Sequence, residues 1–312
     1  MKKINSLKVA TVQFQHKDSD RLYNISVIKR FVKKAASQNV KLIVFPEMCI
    51  TGYGHLGKLS QPQLVKLAES IPDGPTTQLF ISIAKELNII IGVGLLEKSS
   101  HSKLYNSYIV FQPNGQINIH RKLQAFESEY IESGHQYTVF NTILGVKLGV
   151  LICYDNNIIE NCRITALKGA DILLSPSQVG GSLSKSPFAL GLIPLDLWEN
   201  RKLNPAKLRR EFRGPKGRAW LMRWLPSRAH DNGFFLLFSN GVGRDENEIR
   251  TGNAMILDPY GRIVNETSSI NDKMVVAELD LSLLEMSTGR RWIRARRPEL
   301  YNDLVTPTGS EM

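Results

Sequence analysis

Three residues of different chemical type stand where apolar runs of the sequence end. Glu47 follows LIVFP, Lys122 follows INIHR and Cys153 follows VKLGVLI. A cysteine thiol has an ordinary pKa of about 8.5 and needs help to be a nucleophile at neutral pH. A carboxylate can take its proton. An ammonium can lower the thiol pKa and stabilise the oxyanion that forms when sulfur attacks a carbonyl carbon. Such a set makes a thioester or thioimidate and then hydrolyses it, with no metal or organic cofactor required. Taken singly, each residue has a plainer reading: Cys153 as an inert core thiol, Glu47 as a surface acid, Lys122 as one base in His-Arg-Lys. A Cys-His pair built on His120, which alternates with Lys122 along one strand, is a further option.

The elements around these residues are those of an α/β protein. LKVATVQF opens as a strand. Residues 20–38 place Leu22, Ile25, Ile28, Val32 and Ala35 at helical spacing. KLIVFPE is a short buried strand stopped by Pro46, TTQLFISIAKELN a helix with Thr76 or Thr77 as N-cap, and NIIIGVGLLEK a strand. YNSYIVFQPNGQINIHRK reads as a hairpin closed by a type I turn and a bulge. NTILGVKLGVLICYD is a second strand pair, and NNIIENCRITALKGADILLSPS a helix, a Gly169 cap and a strand. GNAMILDPYGRIVNET repeats the first hairpin design, and VVAELDL is the last strand. Hairpins mixed with α/β alternation argue against a purely parallel doubly wound sheet and for two mixed sheets covered by helices. No low-complexity linker interrupts residues 1–312, so the chain reads as one domain. Ligands of such architectures bind beyond the carboxyl ends of strands, which is where the three residues lie.

Composition narrows the setting. Hydrophobic residues make up 42% and charged residues 22%, a globular balance that excludes disorder or a fibre. No apolar run approaches the roughly 18 residues of a membrane span, and the start MKKINSLKVATVQF lacks a signal-peptide core. Three widely spaced cysteines, Cys49, Cys153 and Cys162, form neither a disulfide framework nor a zinc cluster, which points to a reducing cytoplasm. The net charge of +11 is concentrated: residues 201–228 hold ten Lys or Arg and one acid. This basic segment looks like an insertion over about residues 180–228. It reads as solvated or interfacial helices, or as a source of arginines for a substrate carboxylate. No nucleic-acid-binding motif accompanies it.

The three motifs in order resemble those of the nitrilase superfamily, the carbon-nitrogen hydrolases. LIVFPEMCITGY is similar to the family's strand-Pro-Glu and Thr-Gly-Tyr turn, HRKLQAFESEYIESG to its lysine segment, and GVLICYDNNIIENCR to its cysteine segment. TALKGADILLSPS, RAHDNGFFLLFSNGVG, GNAMILDPYGRIV and RRPELY extend the likeness over roughly residues 7–301. The resemblance implies a four-layer α-β-β-α sandwich with two mixed β-sheets. It implies Glu47 as general base, Cys153 as nucleophile, Lys122 as oxyanion stabiliser and the Tyr154 N–H as a second oxyanion donor. It also implies a second glutamate after the lysine: Glu127, whose distance to Gly134 suits carbamoylase-like members, ahead of Glu129 and Glu132. Nitrile-attacking members tend to carry Trp-Glu-His after the cysteine. Here Tyr154, Asp155 and Asn156 follow, which favours an amidase or N-carbamoyl hydrolase. Ile158 and Ile159 stand where a family proline is often found. The substrate expected is a small amide or carbamoyl compound, possibly anionic, and the assembly a homodimer or larger. Cys49, Cys162 and Arg163 are expected to be structural, with Glu160 within reach of Arg163 at helical spacing, and Asp155 to cap the following helix. An acyltransferase using the same cysteine, or a non-catalytic protein binding an anionic partner, are the alternatives.

Overall fold

The computed structural model describes residues 5–184 and 186–311; the polar start at residues 1–4, residue 185 of the basic segment and residue 312 lie outside the described residues. The first half holds β1 (Ser6–Phe14), α1 (Arg21–Ser37), β2 (Leu42–Val44), α2 (Gln61–Leu67), α3 (Pro75–Leu87), β3 (Ile90–Lys98), β4 (Leu104–Phe111) and β5 (Ile117–Arg121). Then come β6 (Thr138–Asn141), β7 (Lys147–Val150), α4 (Ile159–Leu167) and β8 (Ile172–Ser177). The basic segment forms α5 (Leu195–Glu199), α6 (Pro205–Arg213), α7 (Arg218–Leu221) and α8 (Leu225–Asn232). Strands β9 (Phe235–Asp245), β10 (Glu248–Thr251), β11 (Met255–Leu257), β12 (Ile263–Glu266) and β13 (Lys273–Asp280) precede α9 (Thr288–Arg294).

Two similar arrays form the main path of the sheet, with β13 added beside β1, β10 and β11 beside β9, and β12 beside β11. In the first, β1, β2 and β3 run parallel and β4 and β5 continue antiparallel. In the second, β9, β8 and β7 run parallel and β6 pairs antiparallel with β7. The expectation of two separate sheets is corrected in one respect. Gln13 and Phe14 of β1 pair with Asn240 and Gly241 of β9, so one hydrogen-bonded network runs from β5 to β6. Polar side chains reinforce this junction: Thr11 Oγ1 donates to Phe238 O (2.9 Å) and Ser239 Oγ to Val12 O (2.6 Å).

The period-2 alternation of the strands sorts the core. Val9, Leu42 and Val44 of the first array pack with Val150, Ile172, Leu174, Phe235 and Leu237 of the second in one cluster. Their neighbours turn the other way. Ala10, Val12 and Ile43 meet Ile28, Val32 and Phe80 of α1 and α3. Leu173 and Leu236 meet Cys162, Leu225 and Ala229 of α4 and α8. Each Val, Leu, Ile or Phe buried in this way is worth about 2 kcal/mol, so a one-residue slip of any inner strand is strongly opposed. Two local expectations are corrected. Leu22 lies outside the buried stripe of α1 and is exposed, because Asp20 caps the helix and starts that face in solvent. The N-cap of α3 is Gly74; Thr76 sits inside the first turn, where its N–H and hydroxyl both donate to Glu69.

The basic segment is packed. Trp198, Leu208 and Phe212 form a small core with Val242, Ile249 and Ile270. Several of its arginines are spent on the fold: Arg218 on Glu266 (2.6 Å), and Arg228 on the carbonyls of Asn156 (2.8 Å) and Asn157 (3.0 Å). Among the described residues no helix is long and apolar enough to cross a membrane.

Candidate active site

Each expected residue sits on a turn that its strand anchors. Beyond β2, Glu47 precedes Met48, whose φ is +50°. The turn lies so close to β3 that a Cβ on Gly94 would come 2.4 Å from Met48 N, so only glycine fits there. Beyond β5, the Lys122 N–H donates to Asn106 O of β4 (2.8 Å), extending the hairpin by one rung. Beyond β7, Cys153 opens a 3-10 turn with φ of +47°. A left-handed backbone at a residue with a side chain is held only where its surroundings over-determine it.

Asp155 supplies that constraint. It was expected to cap α4, but the N-cap of that helix is Ile158, with no side-chain cap. The fully buried Asp155 carboxylate instead accepts the N–H groups of Ile152 (3.0 Å), Leu123 (3.1 Å) and Gln124 (2.9 Å). It therefore ties the chain after Lys122 to the turn that carries Cys153. His120 is drawn into the same knot: its Nε2 lies 3.3 Å from Asp155 and its Nδ1 3.2 Å from Thr138 Oγ1. Both ring nitrogens are thus engaged away from the thiol, which removes the Cys-His arrangement.

Lys122 is fully buried between two carboxylates. Its Nζ donates to Glu47 Oε1 (2.8 Å) and to Glu127 Oε1, and lies 4.3 Å from the centre of the Phe126 ring. Asn106, which carries no mark in the sequence, bridges the same acids, donating to Glu47 (2.7 Å) and Glu127 (2.9 Å). Glu47 Oε2 is buried without a hydrogen-bond partner. Burial pushes the Glu47 carboxyl up to about 7, against the pull of Lys122 and with the Glu127 charge adding to the rise. Burial would raise Glu127 too, but the charge and hydrogen bond of Lys122 outweigh it and hold that carboxyl below the usual range. Lys122, facing both acids, is held well above the usual lysine range despite its burial. Of the three glutamates considered, the structure brings Glu127 to the lysine. Glu129 is exposed and Glu132 pairs with Lys103 (2.8 Å) at the surface.

Burial and the nearby Glu47 charge push the Cys153 thiol up to about 12, against the opposing effect of Lys122 and a backbone hydrogen bond from Gln178. At rest this thiol keeps its proton. Gln178 also ties the end of β8 to Glu47, donating to its carbonyl (2.8 Å). The Tyr154 N–H has no partner inside the fold among the described residues. Cys153, Tyr154 and Glu127 open on a cavity of about 690 Å³ whose wall includes Tyr53, Phe126 and Trp220. Cys49 and Cys162 are buried in the outer clusters and take no part. Arg163 makes no pair with Glu160; burial lowers its pKa, and one guanidinium nitrogen lacks a partner.

Among the described residues one group has the chemistry to hold a metal: His16, Asp18 and Asp245, with ligand atoms within 4.8 Å of one another. Those atoms are already engaged. Asp245 accepts from Arg250 (2.8 Å) and the Gly54 N–H (2.9 Å), and His16 Nε2 lies 3.2 Å from Asp245. Burial opposes charging of His16, but Asp18 and Asp245 prevail and raise it to about 9.

Known proteins share this arrangement's frame. The chain is 28% identical to a nitrilase of Pyrococcus abyssi, over 89% of this chain and 91% of that one. It is 28% identical to N-carbamoylputrescine amidase of Arabidopsis thaliana, over 97% and 96%. A carbon-nitrogen hydrolase from Helicobacter pylori superposes with a TM-score of 0.77 at 24% identity, covering 97% and 99% of the two chains. The carbon-nitrogen hydrolase family model matches residues 8–287, a span that takes in every strand end described above. The chain therefore belongs to the carbon-nitrogen hydrolases of the nitrilase superfamily, enzymes of C–N bonds other than peptide bonds.

Proposed function

We propose that the protein is an amidase or N-carbamoyl hydrolase working through a thioester on Cys153. The observation that carries this reading is the free oxygen of Glu47. Oε1 is held by Lys122 and Asn106, while Oε2 is buried without a partner in the site that Cys153 shares. With a pKa near 7, Glu47 can both take and give a proton.

As the substrate carbonyl binds, sulfur attacks carbon and the thiol proton passes to Glu47 Oε2. A thiol this resistant to ionisation loses its proton as the C–S bond forms, not before. The oxyanion is held by Lys122 Nζ and the Tyr154 N–H. The C–N bond then breaks, and Glu47 returns the proton to the departing ammonia or amine. Water attacks the thioester next, oriented by Glu127. Its proton goes to Glu47, the C–S bond breaks, and the thiolate regains a proton from Glu47 as the acid leaves. Every transfer is accounted for by the side chains and water, so the scheme needs no cofactor.

We also read the two arrays and their helices as the four-layer α-β-β-α sandwich of the family, carried by a single domain with the basic segment as an insertion. A cytoplasmic homodimer or larger homo-oligomer completes the reading. The test is ammonia release from primary amides and N-carbamoyl amines. Cys153→Ser and Glu47→Gln are expected to lose at least about a thousandfold in kcat/KM. Either variant remaining within tenfold of wild type sinks the scheme.

A further inference from the structure

The wall of the cavity says what kind of acyl group it takes. Its apolar surface comes from Tyr53, Phe126, Tyr154, Val179, Leu190 and Trp220. Phe126 and Tyr154 stack edge to face at 5.7 Å beside the thiol, fixing one side. A volume of about 690 Å³ falls in the range of pockets that enclose ligands of drug size. A two-carbon amide leaves nearly all of it unfilled.

The charged residues on the wall do not offer themselves to a ligand. Lys58 pairs with Glu246. Arg250 is buried and pairs with Asp245 (2.8 Å) and Glu248 (2.7 Å), and Asp245 is shared with His16. Glu127 is taken by Lys122. The arginines of the basic segment, the expected source of an anion site, face elsewhere; of residues 201–228, Trp220 alone lines the cavity among the described residues. A charged tail entering here would give up water without a free counter-charge, which is costly in an aromatic pocket.

We infer that this cavity selects uncharged amides or N-carbamoyl compounds whose larger part is bulky and apolar, with Trp220 and Leu190 as specificity residues. This rests on the proposed Cys153 chemistry only for where the carbonyl sits. Each methylene buried against such a wall is worth about fourfold in affinity, and an added phenyl group with its linker roughly a hundredfold.

The test separates binding from turnover. Calorimetry on Cys153→Ala compares 4-phenylbutyramide with acetamide, with anionic succinamate and with cationic 4-aminobutyramide. 4-Phenylbutyramide should bind about a hundredfold tighter than acetamide and at least tenfold tighter than either charged amide. Adding Trp220→Ala, or Leu190→Ala in its place, should shrink the preference over acetamide, by about tenfold for the tryptophan. A charged amide that matches 4-phenylbutyramide, or a preference that neither added substitution alters, overturns it. If the binding order holds but wild type releases no ammonia from any of the four, this inference stands and the hydrolytic scheme falls.

Discussion

Replacing Asp155 by alanine tests whether the site is held together from behind. The carboxylate is fully buried and receives three backbone N–H groups, from Ile152, Leu123 and Gln124, with His120 close by. Hydrogen bonds to a charged group are worth roughly 1.5–3 kcal/mol each, and a buried donor left unpaired costs roughly 1–3 kcal/mol. Water admitted to the gap recovers part of this. We expect a net loss of about 4–6 kcal/mol, a large share of the roughly 5–15 kcal/mol that holds a typical domain. Asp155→Asn keeps the shape but turns an amide N–H toward other donors, and should lose about half as much. Urea unfolding at neutral pH reads the stability. The rate of Cys153 alkylation by iodoacetamide, measured well below the transition, reads the site, because the same donors fix both the lysine segment and the thiol turn. A loss under about 1 kcal/mol with an unchanged alkylation rate would refute the claim that Asp155 is the staple.

In the proposed scheme Glu47 has to be ionised to accept the thiol proton, and burial pushes its carboxyl up to about 7. kcat/KM should therefore fall as pH drops through about 7. Glu127→Gln removes a charge that raises Glu47 and frees Lys122 to favour it, so the acid limb should move to lower pH in a pH–rate profile. Gly94→Ala places a Cβ 2.4 Å from Met48 N and 3.1 Å from the Glu47 carbonyl carbon. It should cost roughly 2–3 kcal/mol in unfolding experiments and misplace the acid, lowering kcat. Cys153 has φ of +47°, so Cys153→Gly should be more stable than Cys153→Ala by about 1 kcal/mol, with both inactive in the ammonia assay.

Features set by local spacing were legible in the sequence. The hairpins around Pro113 and Pro259 announce themselves by turn chemistry. Glu47 and Cys153 stand out because apolar runs stop at them, and Lys122 because a hairpin strand ends there. Features set by contacts between distant segments were not. Glu127, Glu129 and Glu132 lie within six residues; the family resemblance alone put Glu127 first, and its ion pair with Lys122 is the contact that selects it in the fold. Asp155 has the type and position of a helix cap, yet the donors it meets belong partly to a segment some thirty residues earlier. Asn106 lies in mid-strand with nothing local to mark it. The arginines of residues 201–228 suggested an anion site by number alone, whereas carbonyls and Glu266 in the fold consume several of them.

The central claim is that Cys153 carries the acyl group between two chemical steps. Acid-quenched intact-protein mass spectrometry during turnover of a primary amide tests it most directly, with Cys153→Ala run alongside. The wild-type protein should gain a transient mass equal to the substrate less ammonia, localised to the peptide containing Cys153 and absent from the variant. An adduct on another residue, or ammonia release by Cys153→Ala at the wild-type rate, would contradict it.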